Sequence, residues 1–332
     1  MTRVPDTDLA VAATGLVKTF GEFRAVDGID LEVRRGEVFG VLGPNGAGKT
    51  TMLKMLATLL PMDGGEARIF GVDVQRQPHM IRQLVGVTGQ YASVDENLTG
   101  AENLWLFGRL QGLSSAQARA TAADLLERFG LTEARDKRIS EFSGGMRRRL
   151  DLAASLISLP PLIFLDEPTT GLDPRTRGQM WETIRELVRG GSTVLLTTQY
   201  LDEADQLADR IAVIDHGVKV AEGTPDELKT SVGGSTLQLR MSEPTDTPDA
   251  AAVVRRVVGD EPVLTPEAGG MNVALPDANR AADVLIALRQ SGLSIASATV
   301  QKPTLDEVFL AITGHAAEDE APTDDRALEM TR

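Results

Sequence analysis

The sequence predicts an α/β protein with a largely parallel sheet, an inserted helical segment and a small α+β module at its end. Three features carry that reading. Val38–Leu42 is an apolar run followed by a glycine-rich turn and a helix-periodic stretch, TTMLKMLATLL over residues 50–60. A second apolar run, Leu162–Leu165, ends in the carboxylates of Asp166 and Glu167. Runs of this kind suit strands buried on both faces of a parallel sheet. Between the two, from about Ala101 to Leu159, the texture turns helical, with NLWLFGRLQGL, AQARATAADLLERFGL and MRRRLDLAASLISL.

The other elements follow in order. LAVAATGLVKTF and AVDGIDLEVRRGEVFGVLG open the chain as strands, and EARIFGVDV and LVGVTGQ add short ones. Strand texture returns in PLIFLDE, STVLLTT and RIAVIDHG, alternating with the helical TRGQMWETIRELVRG and LDEADQLA. A boundary is expected near Gly233–Gly234, so that 1–232 form a first domain with a helical subdomain at about 91–160. Residues 233–313 then alternate short strands and helices as an α+β accessory domain closing on TLDEVFLAITG. The tail, 314–332, is acidic and poor in large apolar residues, and is expected to be disordered.

Composition removes several function classes. At 332 residues the chain exceeds what one hydrophobic core usually organises. It has no Cys, which excludes disulfides and thiolate metal sites, and its three His are far apart in sequence. A net charge of −14 and only 4% aromatics argue against a nucleic-acid partner. The best apolar stretch, Leu156–Leu165, is too short for a membrane span and is broken by Pro160 and Pro161. Residues 1–14 carry no signal-peptide core. The expectation is a soluble chain made in the cytoplasm, whose contact with any membrane would go through a partner.

Gly43-Pro44-Asn45-Gly46-Ala47-Gly48-Lys49-Thr50 fits G-x-x-x-x-G-K-[ST], with Thr51 continuing the helix. A buried strand before it and an apolar-periodic helix after it meet the structural context of a phosphate-binding P-loop. Glycines let backbone N–H groups turn towards phosphate oxygens at a helix N-terminus, Lys49 reaches the β- and γ-phosphates, and Thr50 offers its hydroxyl to Mg²⁺. Asp166 would hold the metal shell and Glu167 would polarise the attacking water.

Here the chain resembles the ATP-binding cassette ATPases, over about residues 9–230. Phe142-Ser143-Gly144-Gly145-Met146 resembles their signature loop, usually LSGGQ, with departures at its first and last positions. The resemblance implies a P-loop NTPase fold, ATP and Mg²⁺ as cofactors, and a homodimer in which Ser143, Gly144 and Gly145 of one subunit complete the ATP site of the other. Gln90 resembles the glutamine that touches Mg²⁺ and couples to a membrane partner, and Gly171-Leu172-Asp173 the loop at the dimer seam. Phe20 stands where an aromatic stacks on adenine; a strand-end core residue is its other reading. Where the family usually has a switch histidine this chain has Gln199, which donates a hydrogen bond but carries no proton. Slow hydrolysis without a histidine titration is expected.

TTQYLDEAD, FSGGMRRR and PTLDEVFLAITG together resemble a narrower group, the daunorubicin/doxorubicin-resistance type of ATPase. That implies an energising subunit for export of a drug or lipid-like amphiphile through a separate integral membrane permease. The alternative is a soluble cassette switch acting on ribosomes or DNA, against which the short segment between Gln90 and Ser143 argues. Leu305, Val308 and Phe309 read equally as the group's shared ending or as an amphipathic helix docked on its own module. Arg147-Arg148-Arg149 reads as a partly paired surface and His216 as a turn residue.

Overall fold

The computed structural model describes residues 8–88, 94–232, 234–265, 269–276, 278–301 and 303–314. The expected tail, 314–332, lies outside these residues apart from Gly314. The chain divides into two compact units, with the division after Thr224.

The first unit contains β1 (Leu9–Phe20), β2 (Phe23–Arg34), β3 (Val38–Leu42), α1 (Lys49–Leu56), β4 (Gly64–Ile69), β5 (Val72–Asp73), α2 (Pro78–Leu84) and β6 (Val85–Thr88). The helices α3 (Gly100–Leu110), α4 (Ser115–Arg128) and α5 (Gly144–Ser155) follow. Then come β7 (Leu162–Asp166), α6 (Pro174–Arg189), β8 (Thr193–Thr198), α7 (Leu201–Leu207), β9 (Arg210–Asp215) and β10 (Val218–Gly223). The central sheet runs β10-β9-β3-β8-β7-β6, parallel except for the antiparallel edge strand β10. An antiparallel sheet, β2-β1-β4-β5, forms a second layer.

The uninterrupted apolar runs have the expected cause. Leu162 and Phe164 of β7 join one core with Leu16, Leu31, Val41, Met52 and Leu56. Ile163 and Leu165 point the other way, into a core with Leu104, Leu125, Phe129 and Leu150 from the helical segment. Both faces of β7 are therefore dry, which an alternating polar strand could not tolerate. The helical segment is also defined locally: Thr99 and Ser114 make capping boxes with Glu102 and Gln117 at the starts of α3 and α4.

Parallel register then collects the chemistry. Leu42 stands opposite Thr198, and Asp166 opposite Thr197. The carboxyl ends of β3, β8 and β7 thus meet on one edge, where open α/β sheets bind ligands.

The second unit contains α8 (Pro225–Val232), β11 (Thr236–Met241), α9 (Thr247–Val258), β12 (Val263–Leu264), β13 (Gly270–Ala274), α10 (Arg280–Gln290), β14 (Ile295–Gln301) and α11 (Leu305–Thr313). Its antiparallel sheet, β12-β13-β11-β14, buries Leu237, Leu239, Met271 and Val273 against Val254, Val284 and Leu288 of α9 and α10. The expected boundary at 232 is corrected to 224. Helix α8 packs with α11 and so belongs to this unit, although in sequence it continues the first domain's helical texture. On α11, Leu305, Val308 and Phe309 are buried, as the docked-helix reading requires.

Candidate functional site

The P-loop leaves β3 and enters α1 through two left-handed glycines, Gly46 at φ +81° and Gly48 at φ +101°. Gly48 has little choice: a Cβ there would lie 2.2 Å from the carbonyl oxygen of Ala25. Among the described residues no side chain caps α1, as suits a helix N-terminus that receives an anion. A cavity of about 260 Å³ opens over this turn, lined by Phe20, Phe23, Ala25, the segment Asn45–Thr51 and Glu167. Gly43 and Pro44 do not line it, but their carbonyls accept hydrogen bonds from Lys49 Nζ at 2.7 and 3.0 Å.

Lys49 and Glu167 are both buried, with Nζ 3.6 Å from Oε1. Thr50 Oγ1 donates to Asp166 Oδ1 at 2.9 Å, and Thr197 Oγ1 donates to the same oxygen at 2.6 Å. Glu167 adopts a left-handed backbone, φ +48°, with its N–H held by the carbonyl of Thr197 at 3.0 Å. Helix N-terminal amides, a lysine, a threonine hydroxyl and two carboxylates thus share one sheet edge. A Thr hydroxyl beside an Asp carboxylate suits a hard divalent cation that keeps water and phosphate oxygens as its other ligands.

Phe20 is 48% exposed and lines the cavity, so it is not a core residue. Sequence reasoning missed its neighbour. The two-residue turn at Gly21–Glu22 pairs Phe20 with Phe23, which is 62% exposed and lines the same cavity. The signal was present in TFGEF, two aromatics flanking a glycine turn.

The signature residues lie elsewhere. Ser143 caps α5, accepting from the Met146 N–H at 3.3 Å, and neither Ser143 nor the exposed Gly144 lines the cavity. A Cβ on Gly145 would meet Thr176 Cγ2 at 3.1 Å. Phe142 is buried in the helical core, which gives its departure from the usual leucine a packing role. Asp173 caps α6 through Thr176, whose hydroxyl and N–H hydrogen bonds hold its carboxyl below the ordinary carboxylate range.

Gln199 follows β8, and its Oε1 is buried and accepts no hydrogen bond among the described residues. Gln90 lies outside the described residues. His216 occupies an exposed left-handed turn beside Asp215, with 2.8 Å between Nδ1 and Oδ1.

The arginine run is corrected. Arg147 does pair at the surface with Glu96 at 2.7 Å, but Arg149 donates to the Phe129 carbonyl and Arg148 turns inward to the end of β7.

A cassette-type P-loop site on a sheet with an inserted helical layer defines the class. A dimeric ATP-binding cassette bound to ADP and phosphate in a post-hydrolysis state is similar, with a TM-score of 0.60 at 25% identity, covering 64% of this chain and 98% of that one. The sequence pattern of the family described as ABC transporter matches residues 26–170, and that of the DrrA1-3-like ATP-binding protein C-terminal domain matches 223–313. The daunorubicin/doxorubicin resistance ATP-binding protein DrrA of Streptomyces peucetius is 52% identical over 96% of this chain and 95% of its own length. The Nod factor export ATP-binding protein I of Rhizobium sp. (strain N33) is 37% identical over 93% of this chain and 99% of its own. The chain belongs to the ABC transporter ATP-binding proteins of the daunorubicin/doxorubicin-resistance type, and it is an ABC-type ATPase.

Proposed function

We propose that this chain energises an exporter, hydrolysing ATP as a homodimer to drive efflux of a drug or lipid-like amphiphile through a separate integral membrane permease. The observation that carries the reading is the buried Lys49–Glu167 pair beside Asp166, a charged constellation suited to hydrolysis. Within the site, the amides of Asn45–Thr51 cradle phosphate oxygens and Lys49 leaves the Gly43 and Pro44 carbonyls for the β- and γ-phosphates. Thr50 and Asp166, with Gln90 as the third group named from the sequence, would hold Mg²⁺, which supplies charge neutralisation on those oxygens when bound. Glu167 then polarises the attacking water, and Gln199 donates a hydrogen bond to the developing charge. That Ser143 and Gly144 are exposed, and that none of Ser143, Gly144 and Gly145 lines this chain's own cavity, supports a role for them in completing the partner's site.

Among the described residues no helix is long and apolar enough to cross a membrane. The relatives' names as ATP-binding proteins of resistance and export systems support a permease on a separate chain, to which this subunit attaches peripherally at the cytoplasmic face. A groove of about 680 Å³ between β6 and the helical segment is lined by Arg82, Val87, Phe107 and Leu110 among others. We assign the permease contact there. No nucleic-acid partner is proposed.

Two experiments test the reading. Glu167→Gln should bind ATP normally, lose at least ~10²-fold in hydrolysis and accumulate as an ATP-bound dimer. Hydrolysis at the parent rate would remove Glu167 as the base. Affinity purification of the chain from detergent-solubilised membranes should retrieve a stoichiometric multi-span protein. Ribosomal or DNA-bound partners in its place would overturn the exporter reading.

A further inference from the structure

Arg148 lies on α5, whose N-terminus is the signature loop, and its guanidinium reaches the backbone at the end of β7. Nη2 donates to the carbonyl oxygens of Asp166 at 2.7 Å and Glu167 at 2.9 Å, and Nε donates to that of Pro168 at 3.1 Å. Three consecutive carbonyls converge on one cation. Oxygens brought together in this way repel unless donors stand between them, and a planar guanidinium presents enough donors in a fixed fork. Burial lowers the pKa of Arg148, while the nearby carboxylates of Asp151, Asp166, Glu203 and Glu167 oppose that shift, so the group stays charged.

The middle carbonyl belongs to Glu167, whose φ of +48° is a region that residues with side chains seldom occupy. Such conformations persist where the surroundings over-determine them, and they concentrate at functional sites. Here the grip is two-sided: β8 holds the Glu167 N–H through the Thr197 carbonyl at 3.0 Å, and Arg148 holds the Glu167 C=O.

We propose that Arg148 is a positioning residue that fixes the left-handed backbone of Glu167, so that its carboxylate meets the attacking water, and links this geometry to the helix bearing the signature loop. The signature loop faces the ATP of the other subunit in the proposed dimer. Arg148 therefore connects occupancy of one site to the aim of the general base in the other, within a single chain. The proposal rests on the reading of Glu167 as that base.

The test is Arg148→Lys and Arg148→Gln in the full chain. Steady-state hydrolysis of Mg-ATP, affinity for a fluorescent ATP analogue and thermal unfolding are measured, with Glu167→Gln alongside. Displacing a catalytic group by ~1 Å can cost ~10²-fold, so kcat should fall by ~30–100-fold in both variants. ATP affinity should stay within about twofold, because Arg148 does not line the nucleotide cavity. Lys keeps the charge but not the fork, so charge alone should not rescue the rate. A merely structural role gives a different pattern: a lowered melting temperature, with kcat per folded molecule unchanged. A folded Arg148→Lys with kcat within about twofold of the parent overturns the proposal, as does a loss shared equally between affinity and rate. Failure of both variants to fold also overturns it. Parent-level hydrolysis by Glu167→Gln would sink the underlying base assignment, whereas a silent Glu167→Gln beside a normal Arg148→Lys would sink the positioning role alone.

Discussion

Thr197→Val removes one hydroxyl from the middle of the site and leaves the strand's shape almost unchanged. Thr197 is fully buried on β8, and its Oγ1 donates to Asp166 Oδ1 at 2.6 Å. The same Oγ1 takes a long 3.3 Å hydrogen bond from the Glu167 N–H, which keeps the Thr197 carbonyl as its better acceptor. The loss is therefore mainly one hydrogen bond to a charged group, worth about 1.5–3 kcal/mol. Asp166 Oδ1 retains Thr50, so we expect a loss of ~2 kcal/mol rather than the larger cost of a fully orphaned buried carboxylate. For a unit of this size that corresponds to a fall of ~4–8 °C in melting temperature. The chain's two tryptophans are Trp105 and Trp181, both in the first unit, so intrinsic fluorescence follows the unfolding of the unit that holds the site. The same variant should need several-fold more Mg²⁺ for half-maximal hydrolysis, because Asp166 is held less firmly where it would meet the metal. A melting temperature within about 1 °C of the parent, with unchanged Mg²⁺ dependence, would refute the claim that this hydroxyl holds Asp166.

Two further substitutions probe parts of the site that composition and motifs did not reveal. Phe23→Ala should weaken ATP binding ~10-fold, in line with the worth of one base–aromatic stack, and leave inhibition by inorganic triphosphate unchanged; equal weakening of both would show that Phe23 supports the loop and does not touch the base. Glu203 is fully buried, and its Oε1 accepts from Thr169 Oγ1 at 2.8 Å and Trp181 Nε1 at 3.3 Å. Burial pushes its carboxyl above the ordinary range, against hydrogen bonds from Thr198, Thr169 and Trp181. A folded pKa above the unfolded one means that the native state binds the proton more tightly, so stability is lost as pH rises from about 4.3 through the folded value. Glu203→Gln cannot titrate and should abolish that decline; parallel urea-midpoint curves for parent and variant across this pH range would contradict it.

The candidate nucleotide site could be picked out of the sequence because its information is local. Glycine spacing from Gly43 to Gly48, the lysine and threonine after it, and two carboxylates closing an apolar strand each specify backbone shape and chemistry within a few residues. Phe23 was nearly legible, since the hairpin that pairs it with Phe20 is also local. Thr197 was not. Its role needs β8 to lie between β3 and β7 in a register that places it opposite Asp166, and nothing in STVLLTT encodes that neighbour. Arg148 was misread with its neighbours because a run of three arginines looks uniform in sequence, whereas a helix sends successive side chains about 100° apart. Arg147 therefore meets Glu96 at the surface while Arg148 turns to the β7 carbonyls.

By itself, then, the sequence determined the layered α/β class, the P-loop and its carboxylates, and the kinship with cassette ATPases, all of which rest on short-range patterns. Tertiary structure alone decided which donors surround Asp166 and how Glu167 is held in its left-handed turn. It also decided that α8 leaves the first unit for the second. These depend on strand order, register and helix rotation, which bring together residues separated by tens of positions, and pairings at that range leave no periodicity for the sequence to display.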